Sequence, residues 1–78
     1  MLKQKIISVI GLGYVGLVVA IEFSKKNICI GYDISNKRIN NLKKFIDDTK
    51  QVTRKQLKKS KILFTSNKID LSKSNKFR

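Results

Sequence analysis

The chain has no histidine, no proline and no tryptophan, a single cysteine, and only 5 acidic residues among 78. Each shortage removes a class of function. Without histidine there is no Ser-His-Asp triad, no Cys-His pair and no histidine-bound metal. With one cysteine there is neither a disulfide nor a thiolate zinc cage. No residue is therefore assigned as catalytic or as a metal ligand, and any reactivity must come from a bound group. A long apolar run is missing as well. The stretch from Ile6 to Ile21 is broken by Ser8, Gly11, Gly13 and Gly16 and followed by Glu22, short of the roughly 20 apolar residues a bilayer span needs. The expectation is a cytoplasmic protein without membrane contact, carrying Cys29 as a free thiol. A chain of this length rarely gains more than about 3–5 kcal/mol from its core, so marginal stability is expected.

Positive charge is what the chain has in excess: 18 Lys and Arg give a formal charge of +13. Such a charge attracts any polyanion irrespective of fold, so a basic polyanion-binding protein is an alternative function. Against it, the cations are mostly Lys, spread from Lys3 to Arg78, aromatics are few, and Tyr14, Phe23, Phe45 and Phe64 among them stand where a core would use them. Readers of nucleic acid favour the Arg fork or interleave aromatics with basic residues. The charge reads as solvated cationic surface, with no specific nucleic-acid partner.

Lys5 to Ile10, KIISVI, is short, β-branched and closed by Gly11, which is how a strand buried on both faces reads. From Tyr14 the apolar positions Tyr14, Leu17, Val18 and Ile21 recur at helical spacing, widened by Val15, Val19 and Phe23. This predicts a helix buried on most of its circumference and ending near Lys25, Lys26 and Asn27. Ile28 to Tyr32 is a second strand, closed by Asp33. Ser35 or Asn36 can cap a second helix with Ile39, Leu42 and Ile46 facing inward. Thr53 and Gln56 fit a capping box for a short helix through Lys59, and Ile62 to Thr65 is a third strand. Ser66 to Arg78 is polar, with Ile69 and Leu71 as its aliphatic anchors. Strand, turn and helix alternating in this way is the grammar of a parallel sheet.

Gly11, Gly13 and Gly16 spell GxGxxG. Alone that pattern is weak. Here it follows a strand, opens a helix, lies in a βαβ unit and is followed about 20 residues later by Asp33 at the end of the second strand. Each position has its own physical task. Gly11 allows the tight turn, Gly13 lets a pyrophosphate approach the backbone, and Gly16 lets the helix pack closely. The N–H groups near Leu12, Tyr14 and Val15 favour phosphate without any charged side chain. Asp33 would accept the adenosine ribose hydroxyls and repel a 2′-phosphate, so NAD is favoured over NADP. Arg38, in the first turn of the second helix, faces the unfavourable end of that helix dipole and is read as flanking the adenosine or a phosphate, with a solvated surface arginine as the alternative. Cys29 reads as a packed, inert thiol.

These residues resemble a known family. IISVIGLGYVGLVVAIEFSKK, then IGYDISNKRINNLKKFIDDT, VTRKQL and ILFTSN, are similar to the N-terminus of the UDP-glucose/GDP-mannose dehydrogenase family, nearest to its bacterial UDP-N-acetylhexosamine 6-dehydrogenases. Val18 stands where that branch usually has proline. The resemblance implies an enzyme that oxidises the C6 alcohol of a UDP-sugar to a carboxylate with two NAD, through a thioester on a cysteine, for polysaccharide synthesis. It carries over only the cofactor half: Gly11, Gly13, Tyr14, Val15 and Gly16 on the pyrophosphate, Asp33 on the ribose, Arg38 beside it. The resemblance also implies that the catalytic cysteine, its lysine and asparagine partners, the sugar-binding domain and the dimer-forming helix lie beyond Arg78, and Cys29 does not match that cysteine.

The expectation is thus an α/β chain forming a partial, truncated, Rossmann-like doubly wound parallel sheet with strands 3-2-1 only. Residues 1–78 form the incomplete N-terminal part of a dinucleotide-binding domain. Strand 1 would be an unpaired edge, open to oligomerisation. On its own such a chain is expected to be inactive and to bind NAD weakly, with the UDP-sugar a partner only of the intact enzyme. A stand-alone nucleotide-binding module is a further alternative.

Overall fold

The structure is a computed structural model and describes residues 5–73 together with 76–77; Lys3 and Arg78, the ends of the spread of cations, lie outside the described residues. The elements run β1 (Ile6–Ile10), α1 (Tyr14–Ser24), β2 (Ile28–Tyr32), α2 (Asn36–Lys43), α3 (Arg54–Lys59) and β3 (Ile62–Thr65). A 3-10 helix (Lys68–Lys73) and a two-residue strand β4 (Lys76–Phe77) follow. All pairings are parallel and the sheet order is β3-β2-β1-β4. Ile6 to Ile10 run beside Ile28 to Tyr32, and Cys29 to Tyr32 beside Ile62 to Thr65. The fold is a partial Rossmann-like α/β sheet.

Handedness explains the layers. The steps β1 to β2 and β2 to β3 move the same way across the sheet, so right-handed crossovers place α1, α2 and α3 on one face. There Val9, Cys29 and Phe64 meet Leu17, Ala20 and Ile21 of α1, Ile39 and Leu42 of α2, and Leu57 of α3 in one buried cluster. The step from β3 to β4 reverses direction. The connecting 3-10 helix packs on β2, and the same handedness assigns it to the other face. On that face Ile30 and Tyr32 are buried. Ser8 is fully buried too, and its hydroxyl has no partner among the described residues.

Local sequence accounts for the helix ends. Ser35 caps α2 by accepting the Arg38 N–H. The Thr53–Gln56 capping box of α3 is complete in both directions. Lys25 and Lys26 follow α1, with Lys25 paired to Glu22 at 2.6 Å.

Four sequence expectations need correction. The sheet is not limited to strands 3-2-1. Backbone of Lys76 and Phe77 pairs with Ile7 and Ser8, because the unpaired N–H and C=O groups of a β1 edge bind any extended segment delivered in parallel. The β1 edge is therefore not open at those residues. Second, α1 is not buried around most of its circumference: Leu17, Ala20, Ile21 and Ser24 are buried, whereas Tyr14 and Val15 are 65% and 75% exposed and Val18 is exposed too. The sheet covers one side of α1 only. Third, Ile46 lies outside α2 and is exposed, since the helix ends at Lys43 and Phe45 turns the chain at φ 63°. Fourth, Ile69 is no anchor; it stands exposed on the 3-10 helix.

Candidate functional site

The parallel sheet runs outward from β1 in both directions, to β2 and β3 on one side and to β4 on the other; this change of strand order makes a switch point, and ligands of open α/β sheets bind outside the carboxyl ends of the strands there. The glycine loop lies at that end of β1. Gly11 takes φ +89° and donates its N–H to Tyr32 O at 2.8 Å, which extends the β1–β2 ladder by one bond before the chain turns. Only glycine holds that φ without strain. Gly16 has a different reason. A Cβ there would lie 1.8 Å from Gly11 O and 2.9 Å from Gly11 C, so the helix can approach the loop only with hydrogen at this position.

Gly13 forms the N-cap of α1 and offers no side-chain hydrogen bond. The first bond to close on it is Leu17 N–H to Gly13 O at 3.2 Å. The N–H groups of the first turn are therefore left over, at the positive end of an 11-residue helix. A Cβ on Gly13 would meet nothing within 4 Å. The space beside the cap is open, and it is bounded by exposed Tyr14 and Val15.

Between the glycines, Leu12 is held at three points. Its side chain is fully buried and lies over Gly31 of β2, where an added Cβ would come within 3.1 Å of it. Its N–H donates to Asp33 Oδ2 at 2.8 Å, and its carbonyl accepts from Arg38 Nε at 2.7 Å. The other Asp33 oxygen accepts the Ser35 N–H at 2.9 Å. The structure thus brings Gly11, Gly13, Tyr14, Val15, Gly16, Asp33 and Arg38 to one end of the sheet, with Asp33 and Arg38 meeting on the two polar groups of Leu12.

Sequence reasoning missed what lies behind Arg38. Its Nη1 donates to Asp47 Oδ1 at 2.8 Å and to Asp48 Oδ1 at 2.7 Å, whereas Nη2 is buried with no partner among the described residues. The Asp47 carboxylate is 0% exposed and also accepts Thr49 N–H and Oγ1–H, Gln51 N–H and Val52 N–H. Burial pushes its carboxyl up, but the hydrogen bonds from Thr49, Arg38 and Val52 outweigh that and hold it well below the usual carboxylate range. The signal available was Asp-Asp-Thr directly after a helix, a run suited to side-chain-to-backbone turns. Gly31 inside a strand was a second signal, since such a glycine marks close approach of another segment.

Cys29 has no part in this site. It is fully buried in mid-sheet, where burial pushes its thiol up to about 11. A cavity of 260 Å³ lined by Ile21, Lys25, Gln56, Lys59 and Lys61 lies at the opposite end, where β3 begins. No helix among the described residues is long and apolar enough to cross a membrane.

Comparison with known proteins decides the family. The model of the UDP-glucose/GDP-mannose dehydrogenase family NAD binding domain matches residues 5–75. The chain belongs to this family. Among curated members it is 49% identical over 69 residues to Protein CapL of Staphylococcus aureus. It is 46% identical over 77 residues to the UDP-N-acetyl-D-glucosamine 6-dehydrogenase of Pseudomonas aeruginosa, and 38% identical over 71 to that of Salmonella typhi. These alignments take in 88%, 97% and 91% of this chain but 16%, 18% and 17% of the relatives, so the chain spans about a sixth of their length. No solved structure matches it. The family segment in hand is the NAD-binding one, and NAD is its cofactor.

Proposed function

We propose that this chain forms the pyrophosphate- and ribose-binding half of the NAD site of a nucleotide-sugar 6-dehydrogenase, acting on a UDP-N-acetylhexosamine as the names of two relatives indicate. The observation that carries the reading is the uncapped first turn of α1 beside the open space at Gly13. A diphosphate fits there, because leftover N–H groups at a helix start bind anions and no side chain blocks the backbone.

Gly11 shapes the turn, Gly16 lets α1 come close, and the backbone at Gly13, Tyr14 and Val15 faces the diphosphate. Asp33 spends one lone pair per oxygen on Leu12 and Ser35, and a carboxylate has about four acceptor sites, so capacity remains for two ribose hydroxyls. Arg38 fixes the Leu12 carbonyl and so flanks the adenosine end of the site through the backbone it holds. Bound NAD supplies a hydride acceptor for oxidation of an alcohol. The one cysteine of this chain is buried and protonated, so it brings no nucleophile to that oxidation. On this reading residues 1–78 constitute the N-terminal part of a dinucleotide-binding domain, cytoplasmic like the NAD it takes. The chain alone does not turn over substrate and binds NAD weakly, in the millimolar range.

Titration of the 15N-labelled chain with NAD, followed by NMR, tests this. Shifts should concentrate on the backbone of Gly11 to Gly16 and on Asp33 and Arg38. In Gly13→Ala they should vanish while the rest of the spectrum stays folded, since the added methyl meets only open space. Shifts scattered over the lysines, lost with salt and indifferent to Gly13→Ala, would instead establish the chain as a basic polyanion binder.

A further inference from the structure

An arginine next to the ribose acid of a dinucleotide site usually serves a 2′-phosphate, because the planar guanidinium pairs with phosphate in bidentate fashion. Arg38 occupies such a place, sharing Leu12 with Asp33. It is not free to serve that way. Its side chain is 10% exposed, its Nε is spent on Leu12, its Nη1 is spent on two carboxylates at once, and its Nη2, though without a partner among the described residues, is buried. Asp47 and Asp48 set two negative charges on one guanidinium, and Asp33 adds a third on the other polar group of Leu12.

We infer that Asp47 and Asp48 determine cofactor choice: by holding Nη1 and neutralising Arg38 they withdraw the cation that a 2′-phosphate would need, and so make the site select NAD against NADP. The inference rests on the NAD reading above. Asp33 alone repels a 2′-phosphate only as far as a neighbouring free cation does not compensate. The Asp47–Asp48 pair removes that compensation. The two residues differ in what else they do. Asp47 also orders the backbone from Thr49 to Val52, whereas the carboxylate of Asp48 is 59% exposed and has Arg38 as its described partner. Asp48 can therefore be neutralised without disturbing the core, and it supplies the clean test.

The experiment is the same NMR titration, run with NAD and with NADP at low salt on the full chain and on Asp48→Asn, Asp48→Glu and Asp47→Asn. In Asp48→Asn the ratio of NADP to NAD affinity should rise roughly five- to tenfold through tighter NADP binding, with NAD affinity held within about twofold. Asp48→Glu, which keeps the charge, should keep the parent ratio. Asp47→Asn should raise the ratio further if it folds, and Asp48→Asn decides the matter if it does not. An unchanged ratio in Asp48→Asn, or NAD and NADP weakening together as they would if the loop merely loosened, overturns the assignment while leaving the NAD site standing. A parent chain that binds neither dinucleotide overturns the cofactor reading itself, and this inference with it.

Discussion

Gly13 and Gly16 stand three residues apart in one motif, yet the surroundings of their missing side chains are opposite. A methyl at 13 enters open space, whereas a methyl at 16 meets the Gly11 carbonyl, backbone that cannot rotate aside. The helix would have to lift off the loop. Overpacking of this kind costs about 1–3 kcal/mol, a large share of the roughly 3–5 kcal/mol a core of this size supplies. Gly16→Ala should therefore lose most of its cooperative urea transition, while Gly13→Ala unfolds within about 0.5 kcal/mol of the parent. Equal midpoints for Gly16→Ala and the parent would show that α1 does not pack against Gly11 as described.

At the scale of elements, the turn from Asp47 to Val52 is organised by one buried carboxylate. Asp47 accepts from Thr49, Gln51, Val52 and Arg38, and so ties α2 to the start of α3. Its folded pKa lies below its ordinary value of 3.8. A depressed pKa means that the unfolded chain takes up the proton first. The contribution of Asp47 is thus whole above about pH 4 and is lost as pH falls from there toward the folded value. Acid unfolding of the parent should begin near pH 4, and Asp47→Asn, already weakened at pH 7, should show a flatter stability profile below that pH in chemical denaturation. The turn also shows where reading a sequence stops. Strands β1, β2 and β3 were legible because apolar β-branched runs ended at Gly11, Asp33 and Ser66, and both capped helix starts because Ser35 and Thr53 act within three residues. The glycine loop and Asp33 were legible from spacing. Arg38 was legible as a neighbour, but the acids holding it were not, since that contact joins residues 9 and 10 positions apart across a chain reversal. β4 had no pattern of its own to read; its two residues pair because β1 presents an edge. Tyr14 and Val18 have helical spacing, which fixes a shared face and says nothing of what covers it.

For the molecule as a whole, a small core works against a large like-signed charge. The described acids are engaged internally: Glu22 with Lys25, Asp33 with the loop, Asp47 and Asp48 with Arg38, Asp70 with Thr65. The formal +13 is therefore weakly compensated at the surface, and self-repulsion opposes the compact state. Cys29 reports on that balance. It sits fully buried between Ile7 and Ile62 on the neighbouring strands, its thiol raised to about 11 by burial, so it reacts only when the sheet opens. Thiol labelling at pH 8 should run about two hundred- to five thousand-fold slower than in urea, the factor that roughly 3–5 kcal/mol of stability implies. Raising salt from 0.01 to about 0.5 M shortens the screening length from roughly 30 to 4 Å; it should slow labelling further, because repulsion within the folded chain is relieved more than in the expanded one. Labelling at the unfolded rate would place Cys29 outside a formed core, and labelling that accelerates with salt would mean that attractive pairs such as Arg38 with Asp47, rather than the unmatched lysines, set the electrostatic balance of the fold.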